Sequence, residues 1–333
     1  MKYLTLLWIS FAPVVLFSQN TITVEPADGS ASSIYTDLQT ALGAAPAGSD
    51  VIVSGGMWNV SNANSIFYID KRIHLIGTGF DVDSTKATGK SVIAGNFYIN
   101  PGAEGSVIEG LDFHNGINVQ CPNVIIKFVR TSFLSCHNNT YIKNSNIGTI
   151  YVAFRRGIKV ENTVFYTIHG INGQTIIENS IFEFMSTVAN CICRNNIIIG
   201  SQGNSSSFGG NYFDNNIFTF PQSSSFINST FDFAQNNKYN VNLSTVFQTY
   251  DPALLTNAGV YTNFKEFNWQ VKSGSAADNA GTDGTDCGIY GGLTPWKEGA
   301  VPTNPHIQSK TIAPATDAQG KLNVNIRVKA QGN

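Results

Sequence analysis

Charge is scarce in this chain. Asp, Glu, Lys and Arg make up only 13% of 333 residues, and the formal net charge is −2. No run of Lys or Arg exceeds two residues. That excludes the dense basic surface that phosphate contacts require, so no nucleic-acid partner is expected. Long helical windows rich in Ala, Glu and Lys are also missing, which argues against a helical or α/β architecture. Cysteine is sparse and odd in number, five residues at 121, 136, 191, 193 and 287. A framework of paired disulfides therefore does not account for all of them. Cys191 and Cys193 sit two apart and point the same way on a strand, the pattern of buried small apolar residues. Apolar runs are short everywhere except at the start. There, MKYLTLLWISFAPVVLFSQN carries Lys2 followed by apolar residues to Phe17. Residues 1–18 read as a secretory signal peptide, which predicts a secreted or cell-surface protein with no transmembrane segment in the mature chain.

What is present is Gly (31), Phe (22) and a large number of Asn, the composition of many short strands joined by tight turns. The strands repeat. GIKVENTVFYT (157–167) and GQTIIENSIFEF (173–184) share a pattern of apolar, polar, Asn, small, any, apolar. Asn144, Asn162, Asn179, Asn195, Asn215 and Asn228 fall in one column, with Ile142, Val160, Ile177, Cys193, Phe213 and Phe226 two residues earlier. The apolar residues that close each copy are Phe113, Phe133, Ile147, Phe165, Phe182, Ile198, Phe218 and Phe231, at steps of 20, 14, 18, 17, 16, 20 and 13 residues. A solenoid of short parallel strands explains a column of one residue type at every step, because successive turns stack about 4.8 Å apart. Its apolar columns become a continuous core, and its Asn column is expected to form a hydrogen-bonded ladder at a bend. The predicted fold is all-β, a parallel β-helix over residues 19–300, with a C-terminal linker and tail strand over 301–333. A short helix is expected within SIYTDLQTALGAAP (33–46), with Ser33 as its cap, covering the first turn. Residues 243–300 read as irregular last turns.

The opening stretch YTDLQTALGAAPAGSDVIVSGGMW and the closing stretch KSGSAADNAGTDGTDCGIYGG resemble those of secreted right-handed parallel β-helix proteins of the Bacteroidetes type, with the pectin-lyase-like fold. The resemblance implies a right-handed helix and a choice of functions: polysaccharide lyases, hydrolases, adhesins and surface proteins. Calcium-binding Asp clusters of the pectate-lyase kind are not matched in the central turns. Arg155 and Lys143 echo the Lys/Arg pairs of alginate and chondroitin lyases of this fold.

Candidate chemistry lies on the outward position just before the Asn column. Down that line stand Glu109, Val129, Lys143, Glu161, Glu178, Arg194, Asp214 and Ile227. As a carbohydrate groove, this line supplies the parts of a lyase acting on a uronate polymer. Lys143 or Arg194 serves as base or carboxylate clamp, and Glu161 and Glu178 serve as partners or calcium ligands. Glu109, Asp214 and an outward Tyr166 would then hold the polymer. Glu161 and Glu178 are adjacent like charges, an arrangement expected to raise one of the two pKa values. The competing reading is a line of ion pairs that relieves repulsion in a parallel stack. Asp278, Asp283 and Asp286 lie in a Gly-rich stretch that suits calcium, whereas no other cofactor is indicated. His74 has no companion by position. Sugar binding without turnover needs exposed aromatic rings, for which Tyr151, Tyr166, Trp58, Trp269 and Trp296 are candidates. The expected function is a non-catalytic exported protein that binds polysaccharide or a cell-envelope protein, with calcium-assisted lyase activity as the alternative.

Overall fold

A computed structural model describes residues 20–60, 66–81, 89–170, 172–186, 188–200, 207–222, 232–255, 259–302 and 306–329. Residues 1–18, expected to be a signal peptide, and Phe226, Ile227, Asn228 and Phe231 of the repeat lie outside the described residues. The chain is a parallel β-solenoid whose strands alternate between two stacks. One stack, the first sheet, holds Val107–Glu109, Ile125–Lys127, Tyr141–Lys143, Lys159–Glu161, Asn172–Glu178, Val188–Arg194 and Tyr212–Asp214 in order. The other, the second sheet, holds Asp112–Val119, Arg130–Ser135, Asn146–Tyr151, Val164–His169, Ile181–Ser186, Ile197–Ile198 and Ile217–Phe218.

Register follows the columns read in the sequence. Ile142, Val160, Ile177, Cys193 and Phe213 pair in succession and are buried. Across the interior, Phe165 and Phe182 stack at 4.6 Å with ring planes 8° apart. One turn departs from the expected alignment. Thr131, not Phe133, pairs with Phe113 and Ile147, so the steps there are 18 and 16 residues. Thr131 is fully buried because its hydroxyl donates to the carbonyls of Asn115 (3.0 Å) and Phe133 (3.1 Å). A satisfied hydroxyl in an otherwise apolar column hides the repeat from an apolar template. Lys127 accordingly takes the place expected for Val129, and Val129 is buried.

The Asn column stands at the bend between the sheets, but it forms no ladder among its own members from 144 to 215. Asn144, Asn162, Asn179, Asn195 and Asn215 have φ between 46° and 57°, the left-handed region that Asn tolerates better than other non-Gly residues. The ladder is one residue later. Thr163 N donates to Ser180 Oγ (3.2 Å), Ser180 N to Asn196 Oδ1 (2.9 Å), and Asn196 N to Asn216 Oδ1 (3.1 Å). Asn216 N then donates to Asn237 Oδ1 (2.9 Å). Small hydroxyls suffice on the earlier rungs because Thr163 Oγ1 and Ser180 Oγ also donate to the carbonyls of Glu161 and Glu178, each at 2.8 Å.

The asparagine side chains instead hold the C-terminal segment. Asn215 Nδ2 donates to Ala280 O (2.7 Å), and Asn195 exchanges bonds with Thr282. Asn162 Nδ2 donates to Ile289 O (2.9 Å) and Gly291 O (2.8 Å), and Asn144 Nδ2 to Pro295 O (3.3 Å). The segment thus runs back along the bend against the direction of the stack. Residues 243–300 are therefore not last turns. They lay a second core on the outer side of the solenoid, in which Phe264, Trp269, Cys287, Ile289 and Trp296 gather with Val164, Ile181, Ile197 and Ile217. Gly288 (φ 91°) lies so close to Ile197 that an added Cβ would stand 2.9 Å from Ile197 Cδ1. Trp269 and Trp296 are buried here.

At the N-terminal end, Ser33–Tyr35 is a strand antiparallel to Ile22–Glu25, so Ser33 caps nothing. The helix is Leu38–Ala44, capped by Asp37, whose Oδ1 accepts from Thr40 N at 2.7 Å. Gln39 exchanges bonds with the backbone of Tyr68. At the other end, burial continues through Val301 and Pro302. The tail strand Val324–Lys329 pairs antiparallel with His306–Ile312 as a hairpin of its own. Among the described residues no helix is long and apolar enough to cross a membrane.

Candidate functional site

The outward line on the first sheet is real, with Glu109, Lys127, Lys143, Glu161, Glu178, Arg194 and Asp214 in consecutive register. Most of its charges are already matched. Glu109 is fully buried between His74, whose Nε2 lies 3.3 Å from Oε1, and Lys127, which pairs with Oε2. Burial alone would raise the Glu109 carboxyl, but its close pairing with His74 and Lys127 holds it below its ordinary value. His74 also reaches Asp50 at 3.2 Å, so its ring bridges two carboxylates. Sequence position did not reveal this, because Asp50, His74 and Glu109 are far apart in the chain and meet only through register.

Glu161 and Glu178 are adjacent as expected, yet the Glu161 carboxyl is not raised. Lys159, two residues before Glu161 on the same strand, lies 3.1 Å from Glu161 and 3.4 Å from Glu178. Burial pushes the Glu161 carboxyl up, and the Tyr141 hydroxyl, Lys159 and Lys143 more than offset it, so its pKa falls below the ordinary value. Tyr141 donates to Glu161, and burial followed by this bond raises the phenol's pKa. Arg194 pairs with Glu178 through Nε. Asp214 accepts from Tyr212 (3.3 Å) and Asn236 (3.3 Å). Such mutual pairing consumes the groups that a proton-abstracting base would need.

Lys143 differs from its neighbours in forming no ion pair among the described residues. The remaining candidates lie apart from the line. Tyr166 belongs to the second sheet, half-buried edge-on to Phe184 at 5.3 Å and packed against the second core. It is therefore not beside the charged line. Arg155 occupies an exposed turn after Asn146–Tyr151. The three aspartates each serve their own loop. Asp278 accepts from Gly274 N (2.6 Å), Asp283 from Thr285 N (3.1 Å), and Asp286 from Asn279 N (2.9 Å). Among the described residues, no group of three or more His, Cys, Asp or Glu is arranged to hold a metal ion.

The second sheet presents a different outer face. Phe133, Tyr151 and His169 occupy successive strands, with ring centroids 5.9 and 5.4 Å apart. Tyr151 is 45% exposed. A pleated surface places such rings a strand spacing apart and roughly perpendicular to the sheet, with Phe133 and His169 half-buried on either side of Tyr151. Compared with known proteins, the chain matches no family model, no curated protein and no solved structure.

Proposed function

We propose that the protein is an exported, non-catalytic β-helix that binds polysaccharide at the cell surface or outside the cell. The observation that supports this reading is the row Phe133, Tyr151 and His169, with Tyr151 exposed at its centre. Aromatic rings offer large rigid apolar area at little conformational cost, with polar tips for hydrogen bonds. The right-handed winding and the pectin-lyase-like relationship, drawn from the sequence resemblance, and the covering of the first turn by Leu38–Ala44, drawn from its amphipathic spacing, are parts of the same reading. Calcium-assisted lysis of a uronate polymer draws less support, since Glu161, Glu178 and Arg194 are engaged with one another and with Lys159.

Affinity electrophoresis in gels containing neutral or acidic polysaccharide tests the reading. Retardation by at least one polymer is expected, with Tyr151→Ala weakening it on the order of tenfold, equivalent to about 1.4 kcal/mol. Migration unaffected by every polymer, or equal retardation of the variant, would refute it.

A further inference from the structure

Lys143 opens into a cavity of ≈ 450 Å³ between the first sheet and the returning C-terminal segment. The volume falls within the range of about 300–1,000 Å³ typical of small-molecule sites. Three cations line it: Lys127 and Lys143 on adjacent strands, and Lys297 from the C-terminal segment. Lys127 is matched by Glu109, whereas Lys143 and Lys297 form no ion pair among the described residues. Burial presses the Lys143 ammonium below its ordinary pKa. Glu161 opposes that fall, and Lys159, Lys127 and Lys297 deepen it. Like charges gathered at a half-buried position are unfavourable unless an anion joins them.

Asn144 also lines the cavity, with its Nδ2 donating to Pro295 O at 3.3 Å. Beside it, Phe128 occupies the bend position with φ 52°, where the flanking turns carry Gly110 and Asn144. A bulky residue held in the left-handed region is strained, and such strain gathers at ligand sites.

We propose that this cavity binds an anionic saccharide unit, with its acid group held among Lys127, Lys143 and Lys297. Phe128 and Pro295 supply the apolar wall for the ring carbons. Carboxylate and sulfate share the required charge. A sugar, unlike a bare inorganic anion, also brings ring carbons to that apolar wall. The inference rests on the saccharide reading above for its class of ligand, but on none of the aromatic residues that carry that reading.

Calorimetric titration of the full chain with a uronate oligosaccharide, a sulfated oligosaccharide, a neutral oligosaccharide and inorganic sulfate tests it. At least one acidic oligosaccharide is expected to bind, more weakly as salt rises, and the two acidic arms identify the acid group. Lys143→Gln and Lys297→Gln should each weaken that binding about tenfold, with melting temperatures near that of the parent. Lys321→Gln, the same charge change on the exposed turn of the C-terminal hairpin, should leave it within about twofold, as expected for a distant independent site. Three results would overturn the proposal: unaltered binding in both lysine variants, a neutral oligosaccharide binding as tightly, or inorganic sulfate matching the acidic oligosaccharide. Absence of any binding to the acidic ligands would also overturn it. Retardation by neutral polysaccharide that depends on Tyr151 would still stand in that event, so failure of the cavity and failure of the aromatic row are distinguishable.

Discussion

Two hydrophobic cores lie on opposite faces of the second sheet, and adjacent residues belong to different ones. Phe165, Phe182, Ile198 and Phe218 face the interior. Val164, Ile181, Ile197 and Ile217, each one residue earlier, face the C-terminal segment. The interior core repeats at every turn, so each rung meets only its neighbours, and its stability is close to a sum of local terms. The outer core does not repeat. It is built by residues more than 100 positions apart, such as Asn162 with Ile289 and Gly291. Long-range closure of this kind couples several turns at once, with an entropy cost that grows only slowly with loop length. The first core defines the solenoid, and the second bridges several of its turns.

Substitutions in each core test that contrast. The largest effect is expected from Phe182→Ala, which removes a fully buried ring stacked on Phe165 and should cost about 3–5 kcal/mol. Loss distributed over the whole denaturant transition would fit one cooperative unit, and a separate early transition would split the two cores. A smaller effect is expected from Asn162→Ala. It removes two hydrogen bonds to the C-terminal segment and places a residue less suited to φ 46°, costing about 1–3 kcal/mol. Its signature is faster hydrogen exchange in residues 287–296 than in the interior strands; uniform acceleration would contradict the division.

The smallest expected effect is in acid. Glu109 and Glu161 have carboxyls held below their ordinary values in the folded chain. Their contribution is therefore present above the unfolded pKa and is lost as pH falls through the lower folded value. The urea midpoint should be flat near neutrality and decline below about pH 5, with Glu161→Gln flattening part of that decline. An unchanged slope in the variant would remove Glu161 from the account.

The sequence made the repeat legible because stacking forces equivalent positions into columns. The inward residues Ile142, Val160, Ile177, Cys193 and Phe213 were placed on that ground alone, and so was the charged line. Thr131 slipped through because its buried hydroxyl is satisfied by carbonyls that only the folded turn supplies. The ladder was assigned to the visible Asn rather than to the less uniform Ser, Thr and Asn that follow it. A sign of the second core was nonetheless present: the pairs Val164-Phe165, Ile181-Phe182, Ile197-Ile198 and Ile217-Phe218 are apolar at both positions, the mark of a sheet buried on both faces.

Period and polarity in the chain settled the solenoid, its inner core and the left-handed bend, since each follows from local geometry repeated at a fixed step. Tertiary structure alone decided what covers the bend, which ions pair and where Lys297 meets Lys143. Those contacts join residues that no period relates, and they exist only once the C-terminal segment has folded back along the stack.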